Sequence, residues 1–152
     1  MATIESNFRR SITLFGRYLT VVALGNLAWE IMQLPLYTIW ASGTWRELVF
    51  AVVHCTLGDV LISAVCLLLG LFAVGRGWLD RWSGRVAAVT ISLGVGYTVF
   101  SEWLNVVVRK SWEYAPAMPV LPGLGTGLSP LLQWLIVPAL GFWLVTRSSR
   151  RV

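Results

Sequence analysis

The chain alternates four long apolar stretches with polar, basic connections. Each stretch is near the ~20 residues an α-helix needs to cross ~30 Å of hydrocarbon. They run roughly over residues 18–40, 48–74, 86–108 and 128–145. Pro35 predicts a helix end or a kink late in the first stretch, because proline has no N–H to offer the preceding turn. Residues 1–17 read as a basic lead, 41–47 as a short turn, 75–85 as a second polar connection and 109–127 as a longer one. Ser129 and Pro130 are residue types suited to an N-cap and a first helical turn. Pro138 predicts a kink in the fourth helix. The predicted fold is all-α: a four-helix transmembrane bundle, one domain over 1–152, with a long extracytoplasmic loop between helices 3 and 4.

Composition narrows the class. Of 152 residues, 57% are hydrophobic and 12% are charged, about half the ~25% charged content of an ordinary soluble domain. Mean hydropathy is +0.72. A net charge of +5 would suit nucleic acid in a soluble protein. Here the basic residues lie between apolar stretches and read as topology signals, so no nucleic-acid partner is expected. The lead carries Arg9, Arg10 and Arg17, the second connection Arg76, Arg81 and Arg85, and the tail Arg147, Arg150 and Arg151. The opposite connections hold only Arg46, Arg109 and Lys110. The positive-inside rule then places both termini in the cytoplasm and the 109–127 loop outside. The expected location is a bacterial inner membrane. No small-residue cleavage site follows the first apolar stretch, which is expected to be retained. Cys55 and Cys66 stand eleven residues apart on one helix, ~16 Å of rise, too far to bridge each other.

The chemistry lies in polar residues within the apolar stretches. Asn26, Glu30, Gln33 and Tyr37 repeat at helical spacing and share one stripe, with Trp29 beside Glu30. The second stretch holds His54 and Asp59, the third Glu102 and Asn105, and the fourth Gln133. A charge near a bilayer centre costs at least ~2.5–3.5 kcal/mol on insertion scales, so such groups face protein or a wet cavity. By depth, Gln33, His54, Glu102, Asn105 and Gln133 fall in the loop-side half, with Glu30 and Asp59 at its floor. The other half of each stretch is almost wholly apolar. The pattern predicts a pocket open toward the loop and sealed at the far end, within which His54 and Glu102 lie at similar depth. The 109–127 loop, rich in Pro, Gly and aromatic residues, reads either as a lid over that pocket or as an interfacial loop anchored by Trp112 and Tyr114. The candidate catalytic residues are Glu30, Asp59, His54 and Glu102. The candidate ligand contacts are Asn26, Gln33, Trp29, Tyr37, Asn105 and Gln133.

No P-loop, Gly-x-Ser-x-Gly elbow or His-Glu-x-x-His motif is present. A single His rules out paired axial His ligands for haem, and no zinc-ligand spacing is recognisable. No metal or cofactor is assigned. The run Asn26-x-x-Trp29-Glu30 resembles a segment of integral-membrane terpene cyclases, which use buried carboxylic acids to protonate an isoprenoid. The likeness covers five residues, and those enzymes have more spans than this chain. It implies acid catalysis. The first expectation is therefore a small membrane enzyme doing acid/base chemistry on a lipid-soluble, isoprenoid-like substrate. The alternative is a non-catalytic accessory subunit, or a metal- or cofactor-binding component of a membrane complex. A proton-coupled transport component comes third, because the apolar half leaves no polar path through one copy. The expected partners are membrane lipids, a lipid-soluble substrate, and a second copy or a membrane-complex subunit.

Overall fold

The computed structural model describes residues 2–74 and 84–149. The connection holding Arg76, Asp80 and Arg81 lies outside them, as do the tail residues Arg150 and Arg151. The described residues form helices α1 (Ala2–Gln33), α2 (Ile39–Ser42), α3 (Trp45–Val74), α4 (Gly84–Glu102) and α5 (Leu128–Ser149). Among the described residues, four segments are long and apolar enough to cross a membrane: Arg9–Leu36, Trp45–Val74, Gly84–Val108 and Leu128–Arg147. Large apolar side chains cover the outer surface of the bundle. Phe72, at 88% exposed, is an extreme case, and such a surface belongs in lipid rather than water.

The helix ends follow local chemistry. α1 is longer than the first apolar stretch, because the basic lead is itself helical from Ala2. It stops at Gln33, where Pro35 disfavours α-helical geometry at the residue before it. Leu34–Leu36 tighten into a 3-10 turn. α3 begins three residues before the second stretch because of a reciprocal cap at Thr44. The Thr44 backbone N–H donates to Glu47 at 2.7 Å, and the Glu47 N–H donates back to the Thr44 hydroxyl at 3.4 Å. Thr-Trp-Arg-Glu is thus a capping box. α4 gives way to a π-helical segment, Trp103–Val108. Lys110 follows at φ 54, turning the chain in the left-handed region that commonly ends helices.

α1, α3, α4 and α5 form a closed ring. α1 packs on α3 and α5, and α4 packs on the same two. Consecutive long helices run antiparallel, so both ends of the described chain lie at one end of the bundle and residues 109–127 at the other. The two ends have different interiors. At the end carrying the termini, Leu14, Tyr18, Val22, Leu67, Val86, Val137, Phe142 and Val145 form an apolar core. At the loop end the buried residues include Asn26, Glu30, Gln33, Glu102 and Gln133. Small residues let the helices approach closely. Gly25 faces Val137, and Gly94 lies under the Trp134 ring, where a Cβ would overlap the indole.

Residues 109–127 do not float free. The Thr38 backbone N–H donates to the Glu113 carbonyl at 3.0 Å, and the Ala115 N–H to the Leu36 carbonyl at 2.9 Å. Further on, the Leu121 N–H donates to the Thr126 carbonyl at 2.9 Å and the Leu128 N–H to the Pro119 carbonyl at 2.7 Å. The loop is a strap tied to the end of α1, followed by a small hairpin leading into α5.

Candidate functional site

Gln133, on the second turn of α5, organises the polar end of the bundle. It is almost fully buried. Its amide nitrogen lies 3.2 Å from Asn26 Oδ1, 3.0 Å from Glu30 Oε1 and 2.9 Å from Asp59 Oδ2. One side chain therefore joins α1, α3 and α5. Gln33 extends the network: its amide donates to Glu30 Oε1 at 2.8 Å and to Gln133 Oε1 at 3.3 Å. Ser129 donates to Gln33 Oε1 at 2.9 Å and accepts from the Trp29 indole at 3.1 Å. The Ser129 hydroxyl thus crosses to α1 instead of capping its own helix. The amide orientations of both glutamines follow from this donor–acceptor pattern.

Glu30 Oε1 and Asp59 Oδ2 both converge on the Gln133 amide nitrogen, which sets the two carboxyls beside each other, and Trp134 is buried next to Gln133 on α5. Asn26, Glu30 and Gln33 are buried, whereas Asp59 is only partly so. Of the two carboxyls that share Gln133, Asp59 keeps more surface accessibility.

A second set of groups lies between this cluster and the strap. Glu102, buried at the end of α4, accepts a hydrogen bond from the Tyr114 hydroxyl. The same hydroxyl accepts the Gly127 backbone N–H at 2.9 Å. The Tyr114 ring packs against Tyr37 with centroids 5.6 Å apart. Tyr37 lies within electrostatic reach of Glu30, Glu102, Tyr114 and Cys55, so the two sets share one region. Burial is the main reason the Tyr114 phenol is pushed above its ordinary range, and the Glu102 carboxyl beside it acts in the same direction.

Two candidate residues lie elsewhere. His54 is exposed on α3 and stacks on Phe50, with ring centroids 5.4 Å apart. Five residues of α-helix turn ~140°, so with Asp59 facing the centre His54 faces away. Asn105 sits in the π-helical segment and donates to the Ser101 carbonyl at 2.9 Å and the Ser101 hydroxyl at 3.2 Å. These bonds are local to its own helix. Sequence reasoning missed Tyr114 as the partner of Glu102, Ser129 as the bridge between Gln33 and Trp29, and Trp134 as a buried neighbour of the cluster. Ser129 and Trp134 flank Gln133 by four and one residues, and that proximity was the one signal available for them. Tyr114 had none, because its position depends on how the strap folds back.

Among the described residues, no group of three or more His, Cys, Asp or Glu is arranged to hold a metal ion. The arrangement suits proton chemistry instead: three carboxyls, two phenols and a thiol within an apolar shell. Searches of protein-family models, curated proteins and solved structures returned no match to this chain, so any functional reading rests on the site's own geometry.

Proposed function

We propose that the chain is a membrane-embedded acid–base site in which Glu30 and Asp59 hold one exchangeable proton and act on a lipid-soluble, isoprenoid-like substrate. The convergence of the two carboxyls on the Gln133 amide nitrogen carries this reading. Two carboxyls gathered on one amide nitrogen inside an apolar shell cannot both carry charge cheaply, so the pair favours holding one proton, as in other carboxyl dyads. Gln133 Nε2 has two N–H bonds for three acceptors, so the amides alone do not satisfy the cluster. Proton transfer by a positioned carboxyl contributes ~10²–10⁴-fold to a rate. Partly exposed Asp59 delivers or takes the proton, and buried Glu30 shares it. Exposed tryptophans and leucines around the bundle suit an apolar reactant arriving through the bilayer, beneath the strap.

The test uses vesicles containing the purified protein, a polyprenyl alcohol, squalene and a polyprenyl quinone as probes, and deuterated water. Protonation at carbon, or abstraction followed by return of a solvent-derived deuteron, leaves deuterium in the lipid, which mass spectrometry detects. Glu30→Gln and Asp59→Asn keep the shape and hydrogen-bonding capacity of the side chains while removing the exchangeable carboxyl proton. Each is expected to lower label incorporation at least ~100-fold. Wild-type protein that leaves all three probes unlabelled, or variants that label them as fast as wild type, would end this reading.

A second reading draws on the same network. Gln133 links three helices, which favours a non-catalytic subunit whose polar core sets helix register. It predicts that Gln133 variants lose stability while a stable membrane partner copurifies with the wild type.

A further inference from the structure

A buried carboxyl pair that has given up its proton holds an extra charge until a new proton reaches it. The apolar core of Val22, Leu67, Val86, Val137 and Val145 lies between the pair and the end carrying the termini. At the loop end stands Glu102, the last residue of α4, itself buried. A tyrosine hydroxyl has one proton to give. The Tyr114 oxygen accepts the Gly127 N–H at 2.9 Å and directs that one proton to Glu102 Oε2. The carboxyl is thus held through one oxygen. Among the described residues no hydrogen bond reaches the other, Oε1. A carboxyl fixed through one oxygen and open at the other can take up a proton and pass it on without moving.

Tyr37 stands between Glu102 and the pair. It comes four residues after Gln33, which is bonded to Glu30 at 2.8 Å. Its backbone pairs with that of Tyr114, and the two rings pack with centroids 5.6 Å apart. It lies within electrostatic reach of both Glu30 and Glu102. A hydroxyl accepts as well as donates, so it passes a proton by taking one on its oxygen as its own leaves. We propose that Glu102 and Tyr37 form a relay that returns protons from the loop end to the Glu30–Asp59 pair. Glu102 takes one proton from water at Oε1 and gives it to the Tyr37 oxygen. The Tyr37 hydroxyl proton moves on to the carboxylate of the pair, so one proton enters for each one the pair delivers. Tyr114 holds Glu102 in position and keeps its own proton. The relay rests on the acid–base reading of the pair and adds the route by which the pair is reloaded.

Infrared spectroscopy of the full chain in lipid bilayers, switched from water to deuterated water, tests the relay without a substrate. The band to follow is the protonated-carboxyl band that Glu30→Gln and Asp59→Asn each remove or shift. Glu102→Gln keeps an acceptor for Tyr114 and loses the exchangeable carboxyl proton. It is expected to slow deuteration of the band at least ~100-fold, and Glu102→Asp to restore most of the rate. Tyr37→Phe keeps the ring packing and leaves the backbone bonds of the strap in place. It is also expected to slow deuteration, and it decides the matter if Glu102→Gln folds poorly. A purely structural Glu102 would act in the opposite direction, because a loosened strap admits water and speeds exchange. Deuteration as fast as wild type, or faster, in folded Glu102→Gln or in Tyr37→Phe therefore overturns the relay and leaves the protonated pair standing. A wild type without the band sinks the relay and the acid–base reading together. Slow exchange in both variants of a protein that leaves the lipid probes unlabelled supports the relay and ends the catalytic reading alone.

Discussion

At the scale of single residues, Gln133 is the most connected polar side chain described. Leucine in its place would keep the volume roughly and remove both N–H donors and the carbonyl acceptor. Asn26, Glu30, Asp59 and Gln33 would each lose a partner. Interhelical hydrogen bonds in membranes average only ~0.6 kcal/mol, but buried groups left without partners cost ~1–3 kcal/mol. Gln133→Leu is therefore expected to lower stability by about 1–3 kcal/mol in reversible unfolding from detergent micelles. A variant as stable as the wild type would mean that the carboxyls find other partners. His54 gives the contrast. Its ring stacks on Phe50 at the surface, away from the carboxyls that share its depth.

At the scale of elements, the Tyr114 hydroxyl ties three pieces together: the end of α4 through Glu102, the hairpin through Gly127, and the strap on which it sits. Tyr114→Phe removes these bonds and keeps the packing on Tyr37. Backbone amides over 113–127 are then expected to exchange with solvent about ten- to a hundredfold faster, the effect of two lost hydrogen bonds of ordinary strength. Alkaline pH should do the same to the wild type. Burial and the adjacent Glu102 favour the neutral phenol in the folded protein. This contribution to stability is complete below the ordinary tyrosine range of ~10 and is lost as pH rises through the raised folded value. Hydrogen exchange across that range should show the strap loosening in the wild type. Tyr114→Phe should show no such alkaline step, and a step that persists in the variant would assign it to another group.

At the scale of the whole molecule, charge divides the bundle. The end with the termini carries Arg9, Arg10, Arg17, Arg85 and Arg147, while the loop end carries Arg46, Arg109 and Lys110. The positive-inside rule predicts that Ala117 of the strap faces outward and Glu5 inward. In a background without Cys55 and Cys66, Ala117→Cys should react with a membrane-impermeant maleimide on intact bacterial cells. Glu5→Cys should react only after permeabilisation. The reverse labelling pattern would invert the bundle and move the carboxyl cluster to the cytoplasmic half.

Much of this molecule could be read before its fold was known. The four membrane-length helices and the gathering of polar residues toward one end are local properties, set by length, composition and depth along each helix. The Asn26–Glu30–Gln33 stripe survives intact because a single helix carries it. His54 could have been set apart from Asp59 by angle alone. Other features needed the tertiary structure. The meeting of Glu30 and Asp59 at Gln133 depends on how α1, α3 and α5 are rotated about their axes. The burial of Trp134 depends on Gly94 clearing space beneath the indole. Tyr114 meets Glu102 only because backbone bonds to Leu36 and Thr38 fold the strap over the bundle. Hydrophobicity fixes how deep a residue sits, whereas the close packing of facing surfaces fixes its neighbours, and chemistry between side chains depends on the neighbours.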